Sequence, residues 1–445
     1  MKKNNNGKFS VILTGLLMVT FACLPATVWG FEIEIPSSFN PVGSGARAIG
    51  MGGAFIAVAD DATAASWNPG GLTHLKYPEI SLVLSGFHRG EEIGFGTNPE
   101  GAGAHSVSEK DINYFSASYP FELFNYNMVV SLNYQHLYNF DRDWKFTLKE
   151  DIPLILSSQE HWDYQQKGSL TALGLAYCIR IPSQLSVGFT LNFWKDGLTD
   201  NNWEQKYQIT RSGTMVGGFP FTESLDRVDT YSFKGINANL GVLWQINRKL
   251  TLGAVFKTPF KADVEHKTEN IPTSSFMPAE PEYSVSNDEI EMPMSYGIGF
   301  VYDFSTYFSV SADVYRTEWG DYLYRNKQGY ETCPVSGRPL SQSDVGPTHQ
   351  VRMGIEYRLI NKDKGYLLPI RGGIFYDPAP AEGSPDDFYG FSLGMGFTKN
   401  DRFSLDIAYQ YRFGNDVGTS IFEDRQFSQN VDEHQVCLSL ILYSF

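Results

Sequence analysis

The sequence predicts an all-β protein: a transmembrane antiparallel β-barrel of about 14 strands, closed around a small N-terminal plug. Three observations carry this. Apolar and polar residues alternate along many segments, as in Leu185, Val187, Phe189, Leu191 and Phe193 against Ser186, Gly188, Thr190 and Asn192. The connections between such segments are short and long in turn. A Gly- and Ala-rich yet apolar stretch, Pro41 to Leu72, precedes them all.

The chain opens on a secretion signal. Lys2, Lys3 and Lys8 are a basic start, Val11 to Ala22 an apolar core too short to span a bilayer, and Val28 and Gly30 the small residues of a cleavage site. The mature chain then begins near Phe31. Ala22-Cys23 hints at a lipoprotein signal, but Phe21 fits that poorly. The expected organisation is a signal peptide over 1–30, a plug over 31–77 and a barrel over 78–445.

The plug has a readable chemistry. Ile49, Met51, Phe55, Ile56, Val58 and Trp67 are too apolar for a solvated linker and need a surface to pack on. Asp60 or Asp61 is placed to cap a short helix over Ala62 to Ser66. Asn68 precedes Pro69, which disfavours helical backbone at Asn68 and predicts that the helix stops there. Gly70 and Gly71 then let the chain turn towards the first strand. Gly43 to Ala48 also spells G-x-G-x-x-A, but no hydrophobic strand precedes it and no βαβ alternation surrounds it, so it is not read as a nucleotide fingerprint.

The strand pattern recurs to the end. Val351, Met353, Ile355 and Tyr357 alternate with Arg352, Gly354, Glu356 and Arg358; Phe403, Leu405, Ile407, Tyr409, Tyr411 and Phe413 alternate with Ser404, Asp406, Ala408, Gln410 and Arg412. A soluble sandwich would alternate too. These strands, however, are about 10 to 14 residues long, against a usual length of roughly 5 or 6. Ten residues at about 3.3 Å each, tilted near 45°, rise about 23 Å, close to a bilayer's apolar band. Short connections near Pro182, Asn247, Phe304, Asn361 and Lys399 fit periplasmic turns. Long ones, at 89–111, 196–227, 266–289, 326–346 and 414–430, fit outer loops.

Composition agrees. Aromatics make up 15% of the 445 residues, with 32 Phe, 25 Tyr and 42 Gly, yet mean hydropathy is slightly negative. That suits a barrel whose apolar residues occupy alternate positions, and no stretch after the signal reaches the roughly 18 apolar residues of a membrane helix. The formal charge of −15 disfavours nucleic acid as a partner. Cys178, Cys333 and Cys437 are an odd, widely spaced set with no zinc spacing. The eight histidines are scattered, and neither H-E-x-x-H nor G-x-S-x-G occurs, so no catalytic residues, metal or cofactor are expected.

Parity assigns candidate sites. Charge on the lipid face near midplane costs about 2–4 kcal/mol, so Arg352, Arg371, Asp406 and Arg412 belong to the lumen. There they either pair with one another around the plug or meet a substrate carboxylate. Met215, Phe219 and Phe221 in one long connection, and Phe276 and Met277 in the next, either pack a local core or make an apolar entrance. In the last strand Leu438, Leu440 and Leu442 are read as an inward apolar face, opposite Ile441 and Tyr443. The final Phe445 looks like the recognition signal of outer-membrane barrel assembly.

The runs Gly50-Met51-Gly52-Gly53-Ala54, Ala59-Asp60-Asp61-Ala62 and Trp67-Asn68-Pro69-Gly70-Gly71-Leu72 resemble the N-terminal hatch of the FadL-type outer-membrane transporters. That family usually reads Asn-Pro-Ala where this chain has Asn68-Pro69-Gly70. The resemblance implies a 14-stranded barrel in a Gram-negative outer membrane. It implies diffusion-driven uptake of long-chain fatty acids or other hydrophobic small molecules, gated by the hatch, with Asn68 and Pro69 as the carried-over gating residues. Ligand is then expected to leave sideways through a gap at a kinked early strand. Outer-membrane lipids and the barrel-assembly machinery are the other expected partners. A structural or secretion-scaffold barrel and, less well, a general porin are the alternatives.

Overall fold

The structure is a computed structural model and describes residues 43–181, 184–276, 278–399 and 402–443. The signal segment, the first residues of the plug, Met277 and Phe445 lie outside the described residues.

The strands in chain order begin with β1 (Glu79–Phe95), β2 (Gly103–Leu123), β3 (Tyr126–Asn139), β4 (Arg142–Ile152), β5 (Leu156–Ile181), β6 (Leu185–Lys195) and β7 (Asn201–Met215). Next come β8 (Phe219–Gln245), β9 (Leu250–Lys257), β10 (Phe260–Ser274), β11 (Glu282–Met292), β12 (Ser295–Asp303), β13 (Phe308–Thr317), β14 (Leu323–Arg325) and β15 (Glu331–Thr332). The last are β16 (Thr348–Asn361), β17 (Tyr366–Tyr376), β18 (Tyr389–Lys399), β19 (Phe403–Val417) and β20 (Phe427–Tyr443).

Fourteen of these close an antiparallel ring: β1, β2, β3, β5, β6, β8, β9, β12, β13 and β16 to β20. β20 pairs back onto β1 from Glu79–Tyr443 to Phe95–Phe427, so the ring has no free edge. Alternation sorts its two faces. Val351 and Met353 are 43% and 48% exposed on the outside while Arg352 between them is 8% exposed on the inside. Leu132, Ile298, Ile370, Leu393 and Ile407 continue the outer apolar belt, and Ser131, Asn192, Ser311, Ser392 and Asp406 face inward. A surface of this kind is stable only against hydrocarbon.

The other six strands, β4, β7, β10, β11, β14 and β15, carry the sheet beyond the ring, on the side away from the short turns. β5, 26 residues long, and β8, 27 residues long, run from the ring into this extension. Three of the segments expected as long loops, 89–111, 196–227 and 266–289, are therefore mostly paired strand. Their backbone groups are satisfied in ladders rather than by water.

The inner face of β20 is also a correction. Leu438 and Leu442 face outward, whereas Cys437, Ser439 and Ile441 are buried inside. Alternation fixes that two faces differ but not which one points in. Here Ser439 is needed inside, because its Oγ accepts a hydrogen bond of 2.7 Å from the Ala46 amide.

The chain from residue 43 to 77 lies within the ring. It contains two short helices, α1 (Ala46–Gly50) and α2 (Ala64–Trp67), and a 3₁₀ turn over Pro69–His74. Met51, Phe55, Ile56, Trp67 and Leu72 are all at most 3% exposed. Helix α2 ends before Asn68, which is extended at φ −142°. Neither Asp60 nor Asp61 caps it: Asp61 Oδ1 accepts from Thr63 N at 2.9 Å and Thr63 Oγ1 at 2.6 Å, making a turn ahead of the helix, and Asp60 pairs with Arg47.

Candidate functional site: the interior plug and the lumen above it

Asn68 sits at the centre of the plug, fully buried. Its amide donates to Ile56 O at 2.8 Å and to Val242 O of β8 at 2.9 Å, and its Oδ1 accepts from Gly70 N at 3.0 Å. One side chain thus ties two parts of the plug to the wall. Pro69 follows immediately and sits against glycines. A Cβ on Gly188 of β6 would stand 2.5 Å from Pro69 O, and one on Gly241 of β8 would stand 2.2 Å from Asn68 Oδ1. Backbone meets backbone there because the wall carries no side chain.

A second contact of the same kind lies across β16 and β17. A Cβ on Gly354 would stand 2.4 Å from Met51 O, and one on Gly373 would stand 2.2 Å from Gly52 N. The Gly52 amide also donates to Ser392 Oγ of β18 at 2.8 Å. Between the two contacts, Ile56 N donates to Asp313 Oδ2 of β13 at 2.8 Å.

The four charged residues expected in the lumen are buried inside the ring. Arg371 bridges Glu356 at 2.7 Å and Asp406 at 2.5 Å. Arg47 of α1 reaches the same Glu356 at 3.3 Å and also pairs with Asp60, so the chain of charge runs from wall to plug. Arg412 pairs with Glu433 at 2.8 Å and lies 3.5 Å from Asp377, which Arg352 approaches to 3.6 Å. Within the plug, burial works against the Arg47 charge, yet Asp60, Glu356 and Asp61 together raise its pKa well above the ordinary arginine value. Burial pushes the Asp61 carboxyl up, against the pull of Arg47.

The expected entrance residues lie at the far hairpin tips. Met215 pairs with Phe219 at the turn between β7 and β8. Phe221 is buried and stacks on Phe276 with centroids 6.2 Å apart, while Phe219 and Phe276 remain exposed. These positions make a small tip cluster and lie apart from the plug.

Nearer the plug, two aromatic clusters line the outer part of the molecule. One gathers Trp194, Trp203, Tyr231, Phe233, Trp319 and Tyr322, with Trp203 and Tyr231 stacked at 4.7 Å. The other gathers Phe95, Trp144, Phe146, Trp162, Phe422 and Phe427. Neither was singled out in the sequence, because its members come from strands far apart in the chain. The wall glycines were missed as well. Their signal was present: Gly188, Gly241, Gly354 and Gly394 all stand at inward positions of their strands.

The wall itself is interrupted. The β2–β3 ladder ends at the Tyr114–Gln135 pair, although β1–β2 runs on to Ile93–Gly103 and β3–β5 to Asn139–Ser169. Register shifts flank the break, at Val83/Leu84 in β1 and at His136/Tyr138 in β3.

A family model for outer membrane protein transport proteins (OMPP1/FadL/TodX) matches residues 38–437. The chain belongs to the FadL family. Members of this family are outer-membrane β-barrels that transport hydrophobic small molecules. Among solved structures the FadL-family fold recurs in a Pseudomonas aeruginosa FadL homologue, with a TM-score of 0.59, 13% identity and coverage of 92% of this chain and 100% of that one. It recurs in the Pseudomonas putida toluene transporter TodX, with a TM-score of 0.55, 12% identity and coverage of 91% and 99%. The monoaromatic hydrocarbon channel CymD gives a TM-score of 0.53, 17% identity and coverage of 92% and 99%. No curated protein sequence matches the chain.

Proposed function

We propose that this FadL-family barrel is a channel for diffusion-driven uptake of neutral hydrophobic small molecules, gated by the N-terminal plug. The observation that carries the reading is the arrangement inside the ring. A plug held at glycine-lined contacts lies below aromatic clusters and beside a break in the β2–β3 wall. A hydrophobic ligand leaves water among the aromatics, which offer about 25 cal/mol per Å² of apolar area buried. A plug movement then gives it a way down, and the wall break supports a sideways exit. Such a gate needs two arrangements close in energy, of which ligand favours one.

The charge pattern favours neutral cargo over fatty acids. Arg352, Arg371 and Arg412 each already face a carboxylate of the wall, so recruiting one for a fatty-acid head would strip a buried acid of its partner. Monoaromatic hydrocarbons are the class carried by TodX and CymD, and they are the substrates to test first.

The experiment is uptake of labelled toluene and of labelled oleate by cells whose other hydrophobic channels are deleted, with Asn68→Ala and Pro69→Ala compared with the unaltered chain. Toluene uptake above background, lowered in both variants at normal barrel yield, is the expected result. Wild-type uptake in both variants would remove the plug from the mechanism. Oleate uptake alone would overturn the choice of cargo.

A further inference from the structure

Where the β2–β3 ladder stops, three ligand-type side chains meet across the gap. Glu109 and Asp111 come from β2 and His136 from β3, and one potential ligand atom of each lies within 4.8 Å of the others. Asp111 Oδ2 stands 3.5 Å from His136 Nδ1. His136 Nε2 lies 3.1 Å from the Tyr138 carbonyl oxygen. A carbonyl only accepts, so Nε2 carries the proton, and in the neutral ring Nδ1 presents a lone pair towards the carboxylates. Lone pair and anionic oxygen repel one another unless a proton or a cation lies between them.

A fourth group points to the same place. Asn113 is 4% exposed, its Oδ1 has no hydrogen-bond partner among the described residues, and it lines the small cavity bounded by Glu109, Asp111 and His136. That cavity measures about 30 Å³, room for one ion or one water. The donor set is two carboxylates, one imidazole nitrogen and one amide oxygen. It suits a divalent first-row cation of intermediate softness better than Ca²⁺ or Mg²⁺, which take oxygen ligands. Bonds of about 2.1 Å hold two ligands no more than about 4.2 Å apart, and the Asp111–His136 pair at 3.5 Å already lies inside that limit.

We propose that Glu109, Asp111 and His136, with Asn113, bind one divalent transition cation that latches β2 to β3 where the ladder between them is missing. Three ligands on one strand and one on the next make the ion a substitute for absent hydrogen bonds. Removing it loosens that part of the wall. The proposal is independent of what the barrel carries, so its failure leaves the uptake reading untouched.

The test uses untagged full-length barrel, stripped with a chelator and titrated with Zn²⁺, read by calorimetry and elemental analysis. One Zn²⁺ per chain is expected. Changes to second-shell partners alone cost about 10–100-fold in affinity, so Asp111→Asn and His136→Ala are each expected to weaken binding more than tenfold. Glu109→Gln gives a third reading should either variant fail to fold, with folding checked by heat-modifiable migration. Glu122→Gln, at the other end of β2, should bind like the unaltered chain. Amide exchange over 109–113 and 136–139 should slow when Zn²⁺ is added. Sub-stoichiometric Zn²⁺, or affinity unmoved by all three ligand variants, overturns the site. Stoichiometric Zn²⁺ with unchanged exchange overturns the latch.

Discussion

Two arcs of the wall meet the plug in different ways. Along β6 and β8, and again along β16 and β17, glycines let plug backbone lie directly on wall backbone. Along β2 and β3 the plug is met by side chains instead: Tyr114 Oη donates to Ala62 O at 2.8 Å and Asn127 Nδ2 to Thr73 O at 3.0 Å. The first arc cannot adjust, because a close-packed backbone contact has no rotamers. The second can, and it is on this arc that the ladder between strands stops. If the plug gates the channel as proposed, its movement is expected on the arc beside the break.

The sharpest way to break this contrast lies in the charge chain on the rigid side. Arg371→Met leaves Glu356 and Asp406 without their shared guanidinium, and loss of one partner from a buried pair costs about 3–5 kcal/mol. A clear fall in the thermal unfolding midpoint of the purified barrel is expected. Unchanged unfolding would mean that the network does not hold the wall and plug together.

Next in size is a side chain placed between the two backbones. Gly241→Val puts a Cβ into a space where Asn68 Oδ1 stands at 2.2 Å, and overpacking of this kind costs about 1–3 kcal/mol. The ring should still form, since an inward side chain leaves its ladder intact, but the plug should shift. Higher ion conductance in planar bilayers at normal barrel yield is the expected sign. Gly372→Ala, beside Gly373 on β17, provides the contrast: its Cβ meets nothing nearer than 3.8 Å, and conductance should stay close to the unaltered value.

The smallest effect belongs to the adjustable arc. Tyr114→Phe removes the hydrogen bond to Ala62 O, worth about 1 kcal/mol. Barrel yield and conductance should be unchanged, with faster amide exchange near Ala62. A loss of stability comparable to Arg371→Met would show that the two arcs are equally rigid, and the comparison would fall.

The sequence by itself determined the barrel. Period-two alternation in strands such as 351–358 and 403–413 reports a local property, which side of a pleat each residue occupies, so it survives without knowledge of any partner. The helix stop at Asn68-Pro69 is local for the same reason. Tertiary structure decided the rest. Which face of β20 points inward depended on a hydrogen bond from Ala46, 393 positions away in sequence. That long connections are strand depended on neighbouring strands accepting their backbone groups. Gly188 and Gly241 read as ordinary alternation until Asn68 and Pro69 lie on them. Glu109 and Asp111 share a face of β2 two residues apart, but His136 joins them only because β3 lies beside β2 where their ladder stops at Tyr114. Contacts between distant segments leave no periodic trace, since their geometry is fixed by ring closure rather than by spacing along the chain.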